Sequence, residues 1–244
     1  MIKNLLFWVW LGLYFGLALP IVFIPTRFMR ILGLEKMRLA YVQAMQKYYA
    51  RILLIVGGAR VHLHGMDKIP KERNLCIIAN HQAYADILVV VSVIPFVASF
   101  IAKKELGQIP VLSFWMQEMG CLLIDRRNLR SGIDVIFKGI KMIKKHQPVL
   151  IFPEGTRSKG GKMGDFKKGS LKLATKSNAI IIPITLDGTY KFFEETGQVK
   201  SCDIHVTIHD PIPTQGLSPE QEDRLVERVH EVISSSLRTT AESS

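Results

Sequence analysis

Leu75-Cys76-Ile77-Ile78-Ala79-Asn80-His81-Gln82-Ala83-Tyr84-Ala85-Asp86 passes from an apolar run into a polar loop that holds an imidazole and a carboxylate five residues apart. The apolar run reads as a strand bounded by turn-forming residues. Two residues five apart on a regular helix would point about 140° away from each other and share no face. His81 is therefore expected in the turn before a helix, with Asp86 inside its first turns. From there the carboxylate can accept a hydrogen bond from one ring nitrogen, fix the tautomer and leave the other nitrogen as a general base. A surface histidine beside an acidic helix cap would present the same letters.

Working outward, the runs Phe96 to Ala102, Cys121 to Ile124, Val149 to Phe152 and Ile180 to Thr185 are further candidate strands. They alternate with helical patterns, as in an α/β domain. In one interval Ser131 can cap a helix with Asp134 three residues on, and Ile133, Ile136, Ile140 and Ile143 form its expected buried stripe. A last helix is expected from Ser218-Pro219, with Gln221 completing a capping box and Leu225, Val229, Val232 and Leu237 facing inward. Apolar runs that end in polar groups place the chemistry at one rim of the sheet.

Three further blocks follow the first in order: Gly120-Cys121-Leu122-Leu123-Ile124-Asp125-Arg126, Phe152-Pro153-Glu154-Gly155-Thr156-Arg157-Ser158 and Ile181-Ile182-Pro183-Ile184-Thr185. Together the four blocks resemble the glycerolipid acyltransferase family over roughly residues 60 to 210. Leu123 departs from the family, which often carries an aromatic there, a difference of packing more than of chemistry. The resemblance implies a mixed sheet flanked by helices, of the glycerol-3-phosphate acyltransferase-like kind. It also implies a catalytic role for His81 and Asp86, phosphate binding by a lysine of the Ala102-Lys103-Lys104 run, and acceptor binding by Glu154-Gly155-Thr156-Arg157. Lys103 is assigned the phosphate, with the adjacent Lys104 as the alternative.

The residue types fit that chemistry independently. A phosphate monoester carries nearly two negative charges, and the planar forks of Arg126 and Arg157 suit its oxygens bidentately. Gly155 permits close backbone approach, Thr156 offers a hydroxyl, and Glu154 is expected to organise the arginines or the turn, or to form a salt bridge without touching substrate. The implied reaction is proton abstraction by His81 from the free hydroxyl of 1-acyl-sn-glycerol 3-phosphate (lysophosphatidic acid). Its alkoxide then attacks an acyl thioester of acyl carrier protein or coenzyme A, giving phosphatidic acid for phospholipid biosynthesis. Acylation of glycerol 3-phosphate or of another lysolipid stays open, as do a thioesterase and a non-catalytic membrane-tethered lipid-binding protein.

No Gly-x-Ser-x-Gly elbow occurs, against a serine acyl-enzyme. Cys76, Cys121 and Cys202 are odd in number and widely spaced, as expected of reduced buried thiols; Cys121 lies inside a block, but its apolar neighbours give no sign of an activated thiolate. No metal or cofactor is implied, since His62 and His64 merely alternate on a probable strand and His205 and His209 lack further ligands at recognisable spacing.

Lys and Arg total 32 against 21 Asp and Glu, a net charge of +11 that favours an anionic partner. Zinc-finger, helix-turn-helix and RNA-binding signatures are absent from the sequence, so a membrane is expected and nucleic acid is not. Between Lys3 and Arg27 lie 23 uncharged residues, which as a helix would reach about 34 Å. If they span, Arg27, Arg30, Lys36 and Arg38 behind them put the remainder on the cytoplasmic face of the cell membrane. Pro20 and the interface-seeking Trp8, Trp10 and Tyr14 favour a shallow or re-entrant helix instead. A second helix from Glu35 to Val56, amphipathic by pattern, completes a two-helix membrane anchor over residues 1–58, with Gly57-Gly58 as the boundary to an acyltransferase domain over 59–240.

Overall fold

The computed structural model describes residues 2–125, 127–167 and 169–237. Its strands are β1 (Ala59–His64), β2 (Leu75–Ala79), β3 (Ser99–Lys103), β4 (Leu122–Ile124), β5 (Val149–Ile151), β6 (Ile180–Asp187), β7 (Cys202–Ile208) and β8 (Ile212–Pro213). Its helices are α1 (Ile2–Ala18), α2 (Ile24–Ile31), α3 (Glu35–Gly57), α4 (Ala85–Val93), α5 (Pro110–Glu118), α6 (Leu129–Lys144), α7 (Lys172–Ser177) and α8 (Pro219–Ser234).

All five residues of β2 are buried, because both faces of the sheet are covered. Leu75, Ile77 and Ala79 join a core with α3, α4 and α5, whereas Cys76 and Ile78 point the other way into a core with α6, α7 and α8. The sheet order is β1-β7-β6-β2-β5-β3-β4, with β8 on β6. The run β6-β2-β5-β3-β4 is parallel throughout, so its carboxyl ends share one rim; β7 is antiparallel to β6 and β1 parallel to β7. The chain leaves β2 toward β3 through α4 on one face. It leaves β5 in the opposite direction, toward β6, through α7 on the other face. The adjacent ends of β2 and β5 therefore flank the crevice where the winding reverses, the place where open α/β sheets bind ligands.

The five expected strands all form, with β3 starting at Ser99 rather than Phe96; β1 is the strand expected to hold His62 and His64, and β7 and β8 are additional. Pro183 is the fourth residue of β6. Its carbonyl accepts from His209 N at 3.0 Å, so its missing N–H lies on that same side, in the gap where β8 stops pairing with β6 and β7 has yet to begin.

Two helices shift phase from the sequence expectation. Asn128, not Ser131, caps α6 by accepting the N–H groups of Arg130 and Ser131, while Ser131 Oγ accepts from Asp125 N at 3.0 Å. Ile133 is 47% exposed, and the inner row is Val135 and Ile143. In α8 the capping box at Ser218 forms as expected, but the buried row continues by fours through Leu225, Val229 and Ile233, leaving Val232 and Leu237 only half-buried.

At the N-terminus the uncharged stretch is not one helix. Leu19–Phe23 forms a π-helical turn around Pro20, whose missing N–H releases a rung of the helical ladder. Among the described residues no helix is long and apolar enough to cross a membrane. The side chains of Trp10 and Tyr14 lie outside the described residues. α3 buries Val42, Tyr49, Ala50, Leu53 and Leu54 in the same core as α4, though Leu39 stays exposed. The buried Glu118 of α5 pairs with Arg38 of α3 and, at 2.9 Å, with Arg30 of α2.

Candidate active site

Asn80 stands immediately beyond β2. Its amide donates to Leu186 O at 2.8 Å and accepts from Leu186 N at 2.7 Å, copying one more rung of the β2–β6 ladder with a side chain. The backbone is thereby free to leave the sheet at His81. Gln82 Oε1 accepts from Gly188 N at 3.0 Å and Thr189 Oγ1 at 3.2 Å. On the other side, His81 O accepts from Ser158 N at 2.8 Å and Gln82 O from Lys159 N at 3.1 Å. The loop after β2 is thus fastened both to β6 and to the loop after β5.

Asp86 is the second residue of α4 and fully buried. Its Oδ2 accepts from Gln82 N at 2.7 Å and Ala83 N at 2.9 Å, satisfying amides just ahead of the helix where negative charge is favoured. The same oxygen lies 2.6 Å from His81 Nδ1. Backbone amides only donate, so Oδ2 is an acceptor throughout and Nδ1 carries the proton, an assignment made from this hydrogen-bond pattern. Nε2 is left with its lone pair. The ring stacks on Phe152, centroids 4.2 Å apart, and the side chain keeps 19% of its surface exposed.

Glu154 is 6% exposed and serves the turn. Oε1 accepts His81 N at 2.6 Å and Oε2 accepts Gly164 N at 2.9 Å, and among the described residues no arginine pairs with it. Burial raises its carboxyl above the usual range, opposed by those two amides. Gly155 has φ +70°, and a Cβ there would lie 2.6 Å from Lys167 Nζ; the missing side chain is what admits that ammonium.

His81 and Gly155 border a cavity of about 620 Å³ over the carboxyl ends of the parallel strands, whereas the buried Asp86 and Glu154 do not line it. His81, Lys103, Gly155, Thr156 and Arg157 line it together with the apolar side chains of Phe100, Leu106, Ile124, Val135, Ile136, Ile151 and Leu173. Lys103 is the member of its pair that faces the cavity, since Lys104 turns away to Asp125. Arg126, the other expected phosphate ligand, lies outside the described residues. Tyr84, Lys167 and Ser170 also line the cavity. Tyr84 sits inside the first block, and Lys167 lies outside all four.

Cys76, Cys121 and Cys202 are free thiols. Burial pushes Cys121 up to about 12 and Cys202 up to about 11, and it raises Cys76 as well. Thiols so displaced are protonated near neutrality and are poor nucleophiles. Cys121→Ala is accordingly expected to keep turnover within about threefold of the parent, and iodoacetamide at pH 8 to leave activity intact. Rapid inactivation that Cys121→Ala abolishes would restore a thiol route. Among the described residues no cluster of His, Cys, Asp or Glu is arranged to hold a metal ion.

The profile of the acyltransferase family matches residues 60–187. The 1-acyl-sn-glycerol-3-phosphate acyltransferase of Borreliella burgdorferi is 33% identical over 205 residues, covering 83% of this chain and 80% of that protein. The human 1-acyl-sn-glycerol-3-phosphate acyltransferase alpha is 29% identical over 217 residues, covering 87% and 74%. Among solved structures, the 1-acyl-sn-glycerophosphate (LPA) acyltransferase PlsC of Thermotoga maritima superposes with a TM-score of 0.81 at 26% identity, over 96% of this chain and 94% of that one.

Proposed function

Because the chain belongs to the acyltransferase family, we propose that it transfers an acyl group from a thioester to the free hydroxyl of 1-acyl-sn-glycerol 3-phosphate, giving phosphatidic acid. The observation that carries the reading is His81, held by the buried Asp86, bordering a cavity that combines cations with apolar walls. Lys103, Arg157 and Lys167 offer positive charge for a phosphate monoester, and the apolar lining suits an acyl chain.

His81 Nε2 takes the proton from the acceptor hydroxyl as the oxygen attacks the thioester carbonyl. Asp86 holds the ring and stabilises the imidazolium that forms. When the tetrahedral intermediate collapses, the C–S bond breaks and the departing thiolate takes up a proton from His81. The acyl group moves directly between substrates, so no protein nucleophile enters. Acyl carrier protein and coenzyme A thioesters both meet this chemistry as donors.

The deciding assay supplies labelled acyl thioesters of both kinds with lysophosphatidic acid, glycerol 3-phosphate or a neutral-headgroup lysolipid. Phosphatidic acid is expected as the dominant product. Preferential acylation of another acceptor would overturn the substrate assignment, and release of free fatty acid alone would make the protein a thioesterase.

Attachment to the cytoplasmic face of the cell membrane belongs to the same proposal. Leu5, Leu13, Ile24, Phe28 and Ile31 are exposed on the N-terminal helices, Ile31 at 82%, and apolar side chains grouped in this way suit a helix lying in the bilayer interface. Arg27 and Lys36 flank that surface with charge suited to anionic headgroups, and the free thiols fit a reducing compartment. Phe28→Glu with Ile31→Glu is expected to cut the fraction sedimenting with anionic phospholipid vesicles about tenfold or more, while sparing turnover of detergent-dispersed substrate. Undiminished sedimentation would place the membrane contact elsewhere.

A further inference from the structure

Arg157 borders the cavity with its surroundings already fixed. Its guanidinium carbon lies 3.5 Å from the centroid of the Tyr84 ring, and Nη1 donates to Glu194 Oε1 at 2.9 Å. That same oxygen accepts the backbone N–H of Tyr84 at 2.6 Å. The Glu194 side chain is 5% exposed, and its Oε2 is buried with no hydrogen-bond partner among the described residues. A carboxylate in this setting is tolerated because a cation adjoins it. Glu194 lies beyond all four sequence blocks, in the segment after β6, and it does not line the cavity.

We infer that Glu194 is a positioning residue for the acceptor phosphate. Through one oxygen it ties Arg157 to the Tyr84 backbone, so the phosphate-binding guanidinium keeps its place beside the cavity. Tyr84 restrains the flat face of the guanidinium and Glu194 one edge, which leaves the remaining N–H groups for the ligand. This inference rests on the acceptor being a phosphate monoester bound by Arg157, as proposed above.

The test measures acceptor KM, kcat and the equilibrium Kd for lysophosphatidic acid in the parent, Glu194→Gln, Glu194→Ala, Arg157→Ala and the Glu194→Ala/Arg157→Ala pair. Glutamine retains an oxygen that can accept both N–H groups, so Glu194→Gln is expected within about threefold of the parent. Glu194→Ala loses the brace, and acceptor KM and Kd are expected to rise about tenfold with kcat within about threefold. In the Arg157→Ala background, Glu194→Ala should add nothing, because the residue acts through Arg157. Unchanged KM and Kd in Glu194→Ala, loss of kcat alone, or independent additive effects of the two substitutions would each overturn the inference. A parent protein that binds lysophosphatidic acid with this dependence but makes no phosphatidic acid would overturn the proposed reaction and leave the role of Glu194 standing. A parent protein that does neither overturns both.

Discussion

His81→Ala is expected to lower acyl transfer by about a thousandfold or more, with lysophosphatidic acid still bound. Among the described residues the ring is the one group at this rim with an unprotonated nitrogen held ready by a buried carboxylate, and its loss leaves the acceptor hydroxyl with no base. The substitution should spare the fold. The contacts that shape the loop run through the main chain, from His81 N to Glu154 and from Ser158 N to His81 O, and alanine keeps both. Product formation from labelled thioester, followed beside equilibrium binding of the acceptor, measures the two effects separately. Residual turnover within about tenfold of the parent would remove His81 from the role of general base.

Substitution of Asp86 should act on chemistry and folding together. In Asp86→Ala, the ring N–H and the amides of Gln82 and Ala83 lose a common acceptor inside the protein. Leaving buried donors unpaired at a helix start costs about 2–4 kcal/mol, which for a chain of this size lowers the melting temperature by roughly 5–15 °C. Asp86→Asn separates the two effects. Its amide oxygen can still accept from the two backbone N–H groups, but it no longer carries the negative charge that steadies the imidazolium. Turnover is expected to fall about a hundredfold to ten-thousandfold, with a melting temperature nearer the parent's than that of Asp86→Ala. Melting curves beside initial rates check this. An asparagine variant as active as the parent would show that the carboxylate serves the loop and not the reaction.

The dyad was legible because its chemistry is local. Five apolar residues, a turn and a helix start lie within twelve positions, and the failure of i,i+5 positions to share a helical face fixes where each partner must sit. Strand order was not legible. β5 lies between β2 and β3 through pairings far apart in sequence, which the composition of a uniformly apolar strand does not encode. β7 carried a readable signal, since buried Cys202, Ile204, Val206 and Ile208 alternate with less buried Asp203, His205 and Thr207. The choice between Lys103 and Lys104 needed the register of β3 and the position of Asp125, and neither follows from two adjacent identical residues. On sequence alone Glu154 can organise the arginines or the turn, and only the fold decides, because backbone amides claim both its oxygens. Glu194 had no local signal at all: its role exists only because the chain returns from β6 to Tyr84 and Arg157.

The clasp of Glu118 on Arg30 and Arg38 bears on how this protein is divided for laboratory use. Gly57-Gly58 invites a cut that would discard the apolar helices and keep a convenient catalytic fragment. Such a cut would strand Glu118 without either guanidinium and strip the α4 side of the core of Val42, Tyr49, Leu53 and Leu54. The helices that resemble a removable handle are part of the foundation. Trimming ahead of Arg30 is no safer, since it removes Phe7 and Val22, which are buried in that same core, and the Asn4 side chain that accepts from Val199 N at 2.8 Å.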